Sequence, residues 1–303
     1  MRPRHVLLAL IVAAIWGFNF VVIDVGVNEF PPLLFAALRF AVVAIPAVFF
    51  VGMPKVQWRW ILLISVGVCA GQFGLLFTAI HAGMPAGLAS LVLQAQAIFT
   101  LVLGSIFLGE RIQLRQVLGL AIAFGGIALV GFDLGQGSPL VAFALCIGAA
   151  AAWAVGNVGI RKARATNILN MWVWVSLLAP VPLLALSLVF EGPRADLEAL
   201  RNLSLPGIAS LAYIAYISTL VGYGIWGVLM RRYNAGVVAA YALLVPIFGL
   251  SSAAVFLDER ITPTRIVAGV LIVGGVALTS LRLRRKKAEP VTEPQRDSYA
   301  TPG

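Results

Sequence analysis

Long apolar runs separated by short polar clusters dominate the chain. The runs lie near residues 5–27, 32–52, 60–81, 86–108, 116–132, 140–160, 169–190, 207–230, 236–257 and 264–281, and they are continuous rather than alternating. An apolar helix of roughly 20 residues crosses the hydrocarbon of a bilayer, whereas a membrane strand would show period-two alternation over about ten residues. The pattern therefore predicts an all-α integral membrane protein with ten transmembrane helices. Composition agrees, since 61% hydrophobic and 11% charged residues with a mean hydropathy of +0.98 exceed what a water-soluble core can hide.

One segment occurs twice and changes the picture. Residues 86–112, AGLASLVLQAQAIFTLVLGSIFLGERI, align without a gap to residues 235–261, AGVVAAYALLVPIFGLSSAAVFLDERI, sharing Ile98/Ile247, Phe99/Phe248, Phe107/Phe256 and the closing Glu-Arg-Ile. Trp16 and Asn19 have counterparts in Trp153 and Asn157, and Gly125-Gly126 in Gly274-Gly275. These pairs divide the chain into a first repeat, 1–135, a second, 136–281, and a basic tail, 282–303, expected to be disordered. Five helices per unit is odd, so the second unit enters the membrane from the opposite side: an inverted-topology repeat, the arrangement that allows alternating access around a midplane site. The second unit is longer through its Glu191–Pro206 connection.

Charge placement fits this topology. The net charge of +10 collects in Arg2, Arg4, Lys55, Arg59, Arg111, Arg115, Arg161, Lys162, Arg164, Arg231, Arg232 and the tail, while the opposite face has Arg194, Arg201, Arg260 and Arg265. That bias follows the positive-inside rule and predicts both termini in the cytoplasm, so the basic balance speaks for a lipid bilayer and not for nucleic acid. A cleaved signal peptide is not expected, because the first run is half of the Trp16/Trp153 repeat pair. Cys69 and Cys146 lie inside spans and read as small packing residues.

Polar residues inside the spans must line a cavity, satisfy a neighbour or bind something. The candidates are Trp16 and Asn19 in span one, Gln72 in span three, Gln94 and Gln96 in span four, and Asn157 in span six. Span eight adds Tyr213, Tyr216, Ser218, Thr219, Tyr223 and Trp226, and span nine adds Tyr241. Interhelical hydrogen bonding and aromatic packing are the plainer readings of each. Asp24 and Arg39, toward the outer ends of spans one and two, read as a gate or structural charge, with Arg39 near enough to snorkel or to pair with Asp24, or alternatively to grip a carboxylate. Amides, hydroxyls and aromatic faces suit a small neutral or zwitterionic solute.

Together the WGFNFVVIDVG opening at Trp16, Leu38-Arg39-Phe40, Gly-Glu-Arg at 109–111 and Asp-Glu-Arg at 258–260 resemble the EamA-type transporters of the drug/metabolite transporter superfamily. Within it, GMPAGLASLVLQAQAIFT, FPPLLFAALRF and VGYGIWGVLMRRY resemble bacterial inner-membrane exporters of O-acetylserine and cysteine. The resemblance implies multi-pass location in the bacterial inner membrane and efflux of cysteine-pathway intermediates or similar amino acids. One departure is Asp24, where those exporters carry Lys.

No His-Glu-x-x-His, Gly-x-Ser-x-Gly or intramembrane acid pair is present, so catalytic and metal-ligating residues are not expected, nor a cofactor. A Walker loop is absent, so transport would be secondary-active or facilitated. The expected partner is a small-molecule solute, with a homodimer left open; the alternatives are a broad exporter of amino acids or aromatic drug-like solutes, and a non-transporting scaffold.

Overall fold

In hydrocarbon every backbone N–H and C=O needs a partner, and a helix supplies it within one segment. The computed structural model describes residues 1–133, 140–233 and 235–280, and among them every regular element is helical. In chain order these are α1 (Pro3–Glu29), α2 (Pro32–Val48), α3 (Trp58–His81), α4 (Ala86–Leu108), α5 (Leu114–Asp133), α6 (Leu140–Ala163) and α7 (Ile168–Phe190). There follow α8 (Pro193–Arg201), α9 (Leu205–Arg232), α10 (Ala235–Ala242 and Val245–Phe256) and α11 (Pro263–Ser280). The tail 282–303 and the boundary at 135/136 lie outside the described residues.

Eight of these helices are long and apolar enough to cross a membrane, while α2 and α11 are shorter apolar helices. Eight of the ten expected runs are thus helices of spanning length, and α2 is shortened from 32–52 to 17 residues, about 26 Å at 1.5 Å per residue. Pro31 and Pro32 set its start, and Pro46, which lacks a donor N–H, weakens its last turn. The Glu191–Pro206 connection holds a helix that hydropathy did not predict, α8, opening at Gly192 (φ +90°) and Pro193.

Side-chain contacts identify two ends of the bundle. At one, Glu29 meets Ser204, Glu191 accepts from the backbone N–H groups of Leu33 and Leu34, and Glu259 accepts from that of Gly87. Arg265 pairs there with Asp133 at 3.1 Å. At the other, His5 meets Tyr233, the Trp174 indole donates to the Gly52 carbonyl, and Arg161 pairs with Glu110 at 2.5 Å. The first is here called the acidic end, the second the basic end; α1 begins at the basic end and α6 finishes there.

Apolar side chains gain nothing from leaving lipid, so helices associate where small residues let their backbones approach. Three crossings do this: Gly17 of α1 against Phe248 and Gly249 of α10, Gly67 of α3 against Gly156 of α6, and α5 against α11. In the last, Gly119 faces the Gly275 carbonyl and Gly126 faces the Ala268 carbonyl. Phe49, Phe50, Phe132 and Phe190 lie on the bundle surface, the large apolar exposure a bilayer would cover.

Four helices depart from α geometry at matching places. Ser65–Gly71 of α3 and Tyr213–Gly222 of α9 are π-helical, and α4 and α10 are each interrupted after Val92 and Ala242. The interruptions stay satisfied through short-range bonds, Gln94 N–H to Leu91 O and Gln96 N–H to Leu93 O at 3.0 Å, and Leu244 N–H to Tyr241 O at 3.1 Å.

The α5–α11 crossing gives a controlled test. A Cβ on Gly275 would lie 2.5 Å from the Gly119 carbonyl oxygen, whereas one on Gly274 meets nothing within 4 Å. Gly275→Ala should lose about 1–3 kcal/mol through overpacking, and Gly274→Ala should gain up to about 1 kcal/mol of helix propensity; thermal unfolding of both variants in detergent checks the pair.

Candidate functional site

The π segment of α9 and the middle of α1 together assemble an aromatic group. Trp16 stands 5.1 Å from both Tyr223 and Trp226, ring centre to ring centre, and its indole N–H donates to the Ser218 carbonyl at 3.1 Å. The Tyr213 hydroxyl donates to the Ile15 carbonyl at 3.0 Å, with its ring edge-on to Phe18. Four of the residues expected from the sequence, Trp16, Tyr213, Tyr223 and Trp226, are thereby brought onto one α1–α9 seam. Widened π turns leave carbonyls free for side chains, which is why such turns gather at functional sites.

Arg39 joins this seam instead of facing outward. It is 3% exposed and makes no ion pair with Asp24, so neither snorkelling nor that pairing occurs. Its guanidinium lies over the Phe73 ring at 3.9 Å and beside Phe40 at 5.0 Å, with Nη2 donating to Thr219 Oγ1 at 3.3 Å. The Thr219 hydroxyl spends its own hydrogen on the Ile214 carbonyl, five residues back across the π turn, which leaves its lone pairs for Arg39. A file of rings, Phe30, Phe35 and Phe77, runs on to Phe73, the ring beneath Arg39. Sequence reasoning missed Phe40 and Phe73 as its platform; the signal was present in Arg39-Phe40 and Gln72-Phe73.

Gln96 and Asn157 form a second group with Trp153. They line an open cavity of about 300 Å³ between α4, α6 and α11, together with Thr100, Leu101 and Thr279, and the Asn157 amide donates to Thr100 Oγ1 at 3.0 Å. Arg161 is shared with a wider cavity of about 600 Å³ at the basic end, lined by Arg59, Trp60, Phe107, Lys162 and Arg164. Gln94 sits at the interruption of α4, partly buried, outside that lining. Asn19 and Gln72 are buried, and the amide oxygens of Asn19, Gln72 and Gln96 lack hydrogen-bond partners. Asp24 is partly buried, and its backbone carbonyl accepts from the Asn28 amide. Tyr216 is exposed, and Tyr241 packs beside Leu229 and Val238.

Among the described residues no cluster of His, Cys, Asp or Glu could hold a metal ion. A family model decides what kind of protein this is, matching residues 3–132 and again residues 140–281. The chain belongs to the EamA-like transporter family. A relative of this EamA chain named "Probable amino-acid metabolite efflux pump", from Escherichia coli, is 43% identical over 297 residues, covering 96% of this chain and 99% of the relative. A "Probable terminal-alkyne amino-acid exporter" from Streptantibioticus cattleyicolor is 25% identical, covering 98% and 100%. A solved structure with a TM-score of 0.61 and 20% identity covers 94% of this chain and 100% of its own, a likeness of fold alone. The EamA chain is a multi-pass membrane protein of a transporter family.

Glu259, in the loop before α11, ties the acidic end. Its carboxylate accepts from Gly87 N–H at 3.2 and 3.3 Å and lies 3.8 Å from Arg265. Burial pushes its pKa above the usual carboxylate range, against the opposing pull of the Gly87 amide and Arg265. A group that binds its proton more tightly when folded contributes stability fully below its unfolded pKa and loses it as pH rises through the folded value. Thermal unfolding should therefore show a fall in stability just above the ordinary carboxylate range that is absent in Glu259→Gln, measured from about pH 4 to 7.

Proposed function

We propose that the chain is a secondary-active or facilitated exporter of small amino-acid derivatives, with O-acetylserine and cysteine the first candidates. It works by alternating access between two inverted five-helix repeats, residues 1–135 and 136–281, in a bacterial inner membrane with both termini in the cytoplasm. The observation that carries this reading is the difference between the two ends. The Gln96–Asn157 cavity adjoins, through Arg161, a wide cavity at the basic end, while Glu259 bonded to Gly87 ties α4 to the loop between α10 and α11 at the acidic end. With the basic end cytoplasmic, that difference favours a form loaded from inside. Glu110, the repeat counterpart of Glu259, is engaged by Arg161 instead.

Three further features support an inverted pair. Gly126 aligns with Gly275 in the repeat and Gly119 with Ala268, so the contacts Gly119–Gly275 and Gly126–Ala268 are reciprocal, as a two-fold axis requires. The π segments fall in third and eighth spans and the interruptions in fourth and ninth, each pair in corresponding positions. Interrupted helices at matching places are a feature of transporters built on inverted repeats. The names of both relatives, a probable amino-acid metabolite efflux pump and a probable terminal-alkyne amino-acid exporter, favour an amino-acid-like solute. The Trp16–Tyr223–Trp226 group favours the second reading, a broader exporter that also takes aromatic solutes.

Counterflow in proteoliposomes with labelled amino acids and their derivatives, with and without a pH gradient, tests the substrate class. Uptake of serine and cysteine derivatives is expected; if none moves while aromatic solutes do, the broader reading holds instead. Gln96→Leu combined with Asn157→Leu should lower transport at least about tenfold, the loss of two hydrogen-bonding groups. Wild-type rates in that variant would remove the cavity from the transport path.

A further inference from the structure

Arg39 is a buried cation whose hydrogen-bonding capacity is mostly unused. Of its five N–H donors one is engaged, by Thr219, and both Nε and Nη1 lack any partner. The ion pairs among the described residues are Arg161–Glu110, Arg265–Asp133 and Arg265–Glu259, and none involves Arg39. A guanidinium keeps its proton under all ordinary conditions, so it cannot neutralise itself as a buried Lys can. The Phe73 and Phe40 rings balance part of the charge with their faces but accept no hydrogen bonds. Folding such a group into a bundle without an anion is costly, and an anion beside it would offset that cost.

The geometry of the guanidinium says what fits there. Nη2 carries two hydrogens, and Thr219 takes one. The other shares an edge of the guanidinium plane with either Nε–H or Nη1–H, so a complete two-donor edge remains whichever hydrogen Thr219 uses. A planar pair of parallel N–H donors matches a carboxylate. The same helices carry complementary groups: Asn19 and Gln72 have buried amide oxygens with no donor, and Trp16, Tyr223 and Trp226 present ring faces. Amide oxygens and ring faces are what an ammonium group needs.

We infer that Arg39 is the substrate-binding residue that grips the α-carboxylate of a zwitterionic amino acid. The inference rests on the amino-acid reading proposed above, and it narrows that reading: the solute must keep its carboxylate free, while its side chain can vary. Esters, amides and decarboxylated amines of the same solute are then poor substrates. Thr219, fixed by its bond to Ile214, acts as a positioning residue that holds the guanidinium plane.

The test is counterflow of labelled L-cysteine in proteoliposomes under reducing conditions, with unlabelled L-cysteine, cysteine methyl ester and cysteamine as competitors. In the wild type the ester and the amine should compete about 10- to 100-fold less well than cysteine, the effect of losing a charged two-point hydrogen bond. Arg39→Met should raise the KM for cysteine by a similar factor and abolish the discrimination, and Arg39→Lys should retain part of both. Arg39→Met should also melt at or above the wild-type temperature, because it removes a buried charge that no protein group neutralises. Equal competition by the ester in the wild type overturns the inference while leaving the amino-acid reading intact. So does an Arg39→Met variant that keeps the wild-type KM, or one that loses transport together with a clear fall in melting temperature. Transport of neither cysteine nor any other amino acid by the wild type overturns both.

Discussion

Hydrocarbon offers no hydrogen bonds, and most features of this bundle follow from that. It forces the apolar runs into helices, and it removes the hydrophobic drive between helices, so they hold together where glycine brings backbones into contact, as at Gly119–Gly275 and Gly67–Gly156. It also makes each interior polar group expensive. Those that remain are either tied to backbone, as Tyr213 is to Ile15 and Trp16 to Ser218, or left with open valence, as Asn19, Gln72, Gln96 and Arg39 are.

The irregular turns connect architecture to site. In the π segment of α9 the Ile214 and Ser218 carbonyls accept from Thr219 and Trp16 respectively and so orient them. Thr219 in turn meets Arg39, so one local change in helical winding arranges an aromatic wall and a cation at once. The π segment of α3 sits directly before Gln72 and Phe73, which supply an orphaned amide and the ring under Arg39.

Part of the fold was legible in the sequence, since hydropathy located the long apolar helices, though not α8. The short α2 was not, because an apolar run does not reveal where prolines cut the helix within it. Neither were the π segments or the interruption at Leu93–Gln94, since hydropathy is blind to whether a turn closes over four residues or five. At the site, the residue types were visible but not their grouping. Trp16, Tyr213, Tyr223 and Trp226 converge, while Gln96 and Asn157 line a separate cavity. Arg39 was the most misleading position: its place in the chain suggests a partner in Asp24, but its side chain turns inward to Phe73 and Thr219. Rotation about a helix axis decides that, and sequence spacing cannot supply it when both neighbouring helices are apolar all round.

Whether an amino-acid carboxylate docks on Arg39 decides how an amino-acid solute would be held in the bundle. The most direct measurement is the magnetic dipolar coupling between arginine side-chain nitrogens and the carboxyl carbon of bound L-cysteine, with the protein ¹⁵N-labelled at arginine and the ligand ¹³C-labelled at the carboxyl, in lipid. A coupling equivalent to about 3–4 Å, the spacing of a two-point guanidinium–carboxylate pair, is predicted, and it should vanish in Arg39→Met. Bound ligand with no coupling to any arginine, or a coupling that survives the substitution, would contradict the account.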